Sequence, residues 1–311
     1  ISRNAGEGTD RTLKGTKGTY NGESYDIGDY YLTDLERENL ERVAASFKKT
    51  IVVLNVGGIM DTKFYNEING LDAMLLMGQA GQEGGNALLD VLTGAVTPSG
   101  KLADTWAENY SDYPASDTFA NADGNVKKEV YNEGIYVGYR YFDTFNITPK
   151  YEFGYGLSYT DFKIETQSVT ADADKVTVKV KVTNTGDVAG KDVVELYYAA
   201  PYDPAEEIEK SSVVLGAFEK TNTLKPGESE TVTLTMNVDD MASYDYKNNK
   251  CYVLSAGDYE FRLQTDSHNM KVNSDGTAVE PIAYTVDSKV VYNDANQGKR
   301  STDEVAAENL F

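Results

Sequence analysis

At 311 residues, with 40% hydrophobic and 25% charged side chains, the sequence reads as a soluble globular protein long enough for two cored domains. Its formal net charge of -21 argues against a nucleic-acid partner, and no apolar run is long enough to span a bilayer, so no membrane is expected. A single cysteine, Cys251, and a single histidine, His268, exclude an internal disulfide and a Cys/His metal cluster, and no metal site is expected.

The first residues, Ile1-Ser2-Arg3-Asn4-Ala5-Gly6-Glu7-Gly8-Thr9-Asp10-Arg11, place a carboxylate between two glycines. Gly6 and Gly8 allow a tight turn that lifts Glu7 into a cleft. Arg3, Asp10 and Arg11 are the side chains suited to pin this loop and to bias the proton affinity of Glu7. The chain opens on Ile and not Met, so a removed leader stays open, and the compartment is unassigned between cytoplasmic and secreted.

Residues 12–30 show neither a helical nor a strand period and read as a loop. Thr33-Asp34-Leu35-Glu36 is a capping box, and Leu40, Val43, Ala44 and Phe47 share one face, which predicts an amphipathic helix to about Lys48. Ile51–Val56 has the β-branched character of a buried parallel strand. A short helical stretch over 62–68 and a second buried strand over 71–77 follow. Gly84-Gly85 open a helix over Asn86–Thr93, closed by Gly94 with Pro98 beyond. Strand, helix, strand and helix at this spacing imply βαβ units and an α/β domain. The glycines of 78–85 lack the Lys and Ser/Thr of a phosphate loop and read as a structural turn. Residues 100–150 are aromatic-rich with weak periodicity.

From Phe162 the period becomes two. Val176, Val178, Val180 and Val182 alternate with polar residues, Asn184-Thr185-Gly186 turns the chain, and strands over 193–198, 231–236 and 256–263 follow. This predicts an all-β sandwich of the fibronectin or immunoglobulin type. The fold class is therefore α/β followed by all-β, with a partial α/β sandwich domain over 1–160, a β-sandwich over 161–287, and a polar linker or tail over 288–311. The abundant tyrosines fit either a sugar cleft or a tyrosine-rich sandwich core.

Several ordered blocks carry a resemblance: ISRNAGEGTDR, IVVLNVGG, GQAGQEGGNALLDVLTGAVTPSGKLADTW, YNEGIYVGYRYFDTF, YEFGYGLSYTDF, VTNTGDVAGKDVVELYYAAP and LKPGES. Together they resemble glycoside hydrolase family 3, the β-glucosidases and their relatives, over nearly the whole chain. The resemblance implies a barrel supplying an aspartate nucleophile and most sugar contacts, an α/β sandwich lending the acid/base glutamate on one loop, and a fibronectin-like domain. Glu7 matches that glutamate, with Ala5 replacing the usual serine. Glu133, in YNEGIY, is the rival carboxylate and ranks lower, as structural. No barrel sequence is present, Tyr110-Ser111-Asp112-Tyr113 is not the nucleophile motif, and the first half of the α/β domain is absent. The chain looks like the middle of a protein with its barrel last, with the usual barrel-first order as the alternative.

The implied reaction is retaining hydrolysis of a terminal β-glucoside such as cellobiose or an aryl glucoside, without metal or organic cofactor. The implied partners are a β-glucoside or short oligosaccharide and the nucleophile-bearing barrel domain; alone, the chain is expected to be inactive. The competing readings are a β-xylosidase or β-N-acetylglucosaminidase of the same family, and a non-catalytic carbohydrate-binding or scaffold fragment.

Overall fold

A computed structural model describes residues 1–3, 16–20, 22–27, 29–119, 124, 127–128 and 130–293. The chain forms two compact units. Residues of Ile1–Ala95, Trp106–Val130 and Pro149–Tyr151 make the first, and those of Val96–Thr105, Tyr131–Thr148 and the stretch from Glu152 onward make the second. This division interleaves along the chain.

The first unit runs β1 (Ser2–Arg3), β2 (Thr16–Tyr20), β3 (Glu23–Ile27), α1 (Asp34–Ser46), β4 (Ile51–Val56), α2 (Phe64–Glu67), β5 (Ala73–Leu76), α3 (Gly84–Leu92) and β6 (Trp106–Ala107). The ladder partner of β6 is β7 (Pro149–Tyr151). The capping box forms as its residues require: Glu36 N donates to the Thr33 hydroxyl at 3.2 Å, and Thr33 N donates to the Glu36 carboxylate at 2.9 Å. Strands β1, β4 and β5 lie side by side in that order, all parallel, with Arg3 opposite Val56 and Leu54 opposite Leu76. Val52, Leu54 and Val56 are buried, as are Ala44, Met60, Phe64 and Ile68, whereas Ile51 is exposed. The strand expected to be buried therefore has one covered face among the described residues, and Val43 and Phe47 of the predicted apolar helix face also stay exposed. Within 12–30, β2 and β3 pair as an antiparallel hairpin where a loop was expected. Gly22, at φ +84°, supplies the tight turn that a threonine- and tyrosine-rich strand pair needs.

The second unit contains α4 (Tyr139–Thr144), β8 (Phe162–Ala171), β9 (Lys175–Asn184), β10 (Val193–Ala199), β11 (Val214–Lys220), β12 (Ser229–Asn237), β13 (Ser243–Asp245), β14 (Cys251–Leu254), β15 (Gly257–Gln264), β16 (Ile282–Val286) and β17 (Val290–Tyr292). Antiparallel sheets β11-β10-β15-β16 and β12-β9-β8 form the sandwich, with a smaller sheet β13-β14-β17. The valines of β9 alternate inward and pack with Leu196, Leu234, Phe261 and Leu263 in one core. Asn184 is fully buried and fully used: its amide donates to the Val188 and Leu224 carbonyls at 2.8 Å, and its oxygen accepts from the Thr160 hydroxyl at 2.7 Å. Pairing of β17 with β14 carries sheet structure beyond residue 287, into the stretch expected to be linker. Cys251 is a buried thiol in β14.

The interleaving has a local cause. Within the second unit, Gly154 N donates to the Leu102 carbonyl at 2.8 Å and Leu102 N to the Tyr155 carbonyl at 2.9 Å, tying 96–105 to the stretch from Glu152 onward. Tyr139 of α4 stacks near Phe153 and Tyr197, at 4.9 and 6.1 Å between ring centroids, and its hydroxyl accepts from Leu215 N at 3.0 Å. These contacts tie 131–148 to β10 and β11 within the second unit.

Candidate active site

In an open parallel sheet, ligand-binding loops follow the carboxyl ends of the strands, where the chain turns back over the sheet edge. Here β1 ends at Arg3, β4 runs into Gly57-Gly58, and β5 runs into Gly78. The candidate loop carrying Glu7 therefore begins at the carboxyl end of β1. Glu7, Asp10 and Arg11 lie outside the described residues.

Arg3, the described member of the predicted set, is a buried anchor. Its side chain is 4% exposed and every guanidinium nitrogen is used. Nε donates to the Asp29 carbonyl at 2.7 Å, one terminal nitrogen to the Ser2 carbonyl at 2.8 Å and Glu36 Oε1 at 2.7 Å, and the other to Glu36 Oε2 at 2.8 Å and the Tyr31 carbonyl at 3.3 Å. Burial pushes the Glu36 carboxyl up, but the Arg3 bonds and charge and the Thr33 bonds outweigh it and hold the group below the usual carboxylate range. The resulting fork-to-fork ion pair fixes the end of β1 to the first turn of α1.

Arg3 also grips the segment that carries an aromatic cluster. Tyr30 meets Tyr31 and Tyr110 edge to face at 4.9 and 5.0 Å, and Tyr110 meets Tyr113 at 6.1 Å. Asp61, in the loop after β4, is buried, and its backbone N donates to the Tyr30 carbonyl at 2.8 Å. Burial raises the Asp61 carboxyl, opposed by Lys63 at 3.9 Å. Burial likewise raises the Tyr30 phenol, with Tyr113 and Asp61 adding to the shift. An aromatic wall and a nearby anion are the surroundings that keep a carboxylic acid protonated near neutral pH. Sequence reasoning missed Asp61 and the Tyr30–Tyr110–Tyr113 cluster, because their partners are far apart in the chain; the MDT run after the glycines is the one local hint.

The rival, Glu133, is half-buried beside Gly134, which sits at φ +56°, and burial raises its carboxyl. Asp112 is a capping residue: its carboxylate accepts from Asn109 N at 2.8 Å. His268 Nδ1 lies 2.7 Å from Asp143 Oδ1. Among the described residues no group of three or more His, Cys, Asp or Glu side chains is arranged to hold a metal ion, and no helix is long and apolar enough to cross a membrane.

Comparison with known proteins fits this geometry. Residues 5–139 match the glycosyl hydrolase family 3 C-terminal domain, and residues 192–267 match the fibronectin type III-like domain. The chain is 39% identical over 303 residues to β-glucosidase A of Butyrivibrio fibrisolvens, covering 88% of this chain and 36% of that protein. It is 39% identical over 302 residues to a β-glucosidase of Ruminococcus albus, covering 96% of this chain and 29% of that protein. The structure of β-glucosidase 3B from Thermotoga neapolitana in complex with α-D-glucose superposes with a TM-score of 0.80 at 40% identity, over 94% of this chain and 37% of the other. The chain thus spans about a third of the length of the relatives it matches. With both of its domains matched in order and most of its length aligned to such relatives, the chain belongs to glycoside hydrolase family 3, as a segment that joins its C-terminal α/β domain to a fibronectin type III-like domain.

Proposed function

We propose that this chain supplies the acid/base loop of a retaining β-glucosidase, with Glu7 as proton donor and the nucleophile on a barrel domain outside these residues. The observation that carries the reading is the Arg3–Glu36 pair at the carboxyl end of β1, with Arg3 buried four residues before Glu7 in the sequence. The β-glucosidase relatives and the glucose complex of the Thermotoga neapolitana enzyme support the substrate class. The exposed Leu35, Val43, Phe47, Leu89 and Leu92 of the first unit favour further polypeptide covering its apolar side.

In the retaining reaction two carboxyl groups stand about 5 Å apart. The barrel carboxylate attacks the anomeric carbon while Glu7 gives its proton to the departing glycosidic oxygen. Water then attacks the glycosyl-enzyme, with Glu7 taking its proton back and the nucleophile leaving as a carboxylate. Arg3 holds the loop, and Asp10 and Arg11 are assigned to the same supporting role.

Glu7→Gln in the complete enzyme tests the reading. Sugar binding is expected to survive, while turnover of cellobiose falls by roughly 10²–10⁴. Glycosylation by a dinitrophenyl glucoside, whose leaving group needs no proton, is expected to change little, and azide is expected to restore the second step as a β-glucosyl azide. The same pattern from Glu133→Gln, and not from Glu7→Gln, would reverse the assignment.

A further inference from the structure

We propose that Glu36 is a positioning residue for the acid/base loop, holding the loop's origin through Arg3 from the first turn of α1. The inference rests on the reading of Glu7 as proton donor.

Arg3 is the last residue of β1, and the loop bearing Glu7 starts after it. A single backbone residue at a strand end leaves the departing chain free to swing unless the strand end is fixed in orientation as well as position. The three carbonyls that Arg3 touches, on Ser2, Asp29 and Tyr31, belong to flanking loop or strand-end segments. Glu36 differs from them in two ways. Its two oxygens meet two nitrogens of the planar guanidinium at 2.7 and 2.8 Å, a bidentate contact that fixes a plane and not just a distance. It also sits on a regular element, tied to the start of α1 by the 2.9 Å bond from Thr33 N. The carboxylate thus completes the helix cap and clamps the loop's origin with the same atoms. A helix N-terminus favours that negative charge, so the anion is stabilised by the helix as well as by Arg3. Preorganisation of this kind matters because a misplacement of about 1 Å at a reacting group costs on the order of 10²-fold in rate.

The plain alternative is a partly buried ion pair that serves stability alone. The two differ in which step suffers. A loop whose origin is loosened mispositions the proton, and that harms only leaving groups needing protonation. Lost stability harms all substrates alike.

The test is made in the complete enzyme, comparing kcat/KM for phenyl and dinitrophenyl β-glucosides. Glu36→Gln, which keeps an acceptor for Thr33 N but loses the charge, is expected to lower phenyl glucoside hydrolysis about tenfold or more and to leave the dinitrophenyl substrate within about twofold. Val52→Ala, a core truncation in the same unit, serves as the stability control and is expected to lower the melting temperature without separating the two substrates. If Glu36→Gln does not fold, Arg3→Lys, which keeps a charge but loses the fork, is expected to give the same split. A Glu36→Gln enzyme that behaves like Val52→Ala, or like the unaltered enzyme on both substrates, overturns the proposal. If Glu7→Gln, run in parallel, separates the substrates while Glu36→Gln does not, the clamp fails and the reading of Glu7 stands. If Glu7→Gln fails to separate them, both fall.

Discussion

Glu195 is a carboxyl group held where charge is unwelcome. It is 4% exposed on β10, accepts the Tyr197 hydroxyl at 2.7 Å, and lies against Gly154, where a Cβ would come within 2.5 Å of its Oε2. Gly154 is at φ +85°, so both its conformation and the space require glycine. Burial pushes the Glu195 carboxyl from 4.5 up to about 7; Tyr197 and Lys101 oppose the shift, while Asp266 and Asp192 add to it. The sign for stability follows from which state loses its proton first. The unfolded carboxyl ionises near 4.5 and the folded one near 7, so stability is greatest below pH 4.5 with respect to this group and declines as pH rises to about 7. The decline is on the order of 3 kcal/mol. Glu195→Gln is expected to flatten that slope, which urea unfolding at pH 5 and pH 7.5 measures directly. An unchanged difference between the two pH values would show that the carboxyl is not the source.

At the scale of elements, two features show how local pattern becomes stability. Strand β12 repeats the alternation of β9: Val232, Leu234 and Met236 are buried, and the threonines between them are exposed. Truncating Leu234 to Ala removes a fully buried side chain from a sandwich core and is expected to cost about 2–5 kcal/mol. Thr233→Ala, on the opposite face, is expected to stay within about 0.5 kcal/mol. Chemical denaturation of the two variants checks the contrast; similar losses at both positions would contradict the assigned strand register. In α1 the cap was readable from four consecutive residues, yet the extent of the buried face was not. Ala44 is buried, while Val43 and Phe47 are exposed. The pattern established that an apolar face exists, not that these residues supply its cover.

At the scale of the whole molecule, both units carry exposed apolar side chains; in the first they include Leu35 and Phe47 at α1, Leu76 on β5, and Leu89 and Leu92 on α3. Such a surface is expected to bind a hydrophobic dye and to favour association of the chain on its own. The chain alone is also expected to show no turnover of aryl glucosides, because a proton donor without a nucleophile cannot complete retaining hydrolysis. Release of p-nitrophenol by the purified 311-residue chain would contradict the division of labour proposed for Glu7 and the barrel.

Legible in the sequence were the strand–helix–strand–helix run over 34–93, the change from a helical to a two-residue period near Phe162, the helix cap at Thr33 and the family. Each is written in neighbouring residues or in ordered blocks, so each is legible without knowing how the chain folds back. The β2–β3 hairpin escaped because its alternation is weak, although Asn21-Gly22 between Tyr20 and Glu23 is a sequence signal for a two-residue hairpin turn. What the individual charges do depends on contacts made by the folded chain. Arg3 was legible as an anchor, but its partner Glu36 was legible only as a capping residue, and the two meet across 33 positions of chain. Asp61 finds Tyr30, and Glu195 finds Gly154 and Asp266, by the same kind of long-range approach. Desolvation is the reason. A carboxyl group's proton affinity and a guanidinium's grip depend on which distant atoms exclude water around them, and that is a property of packing, not of sequence neighbours.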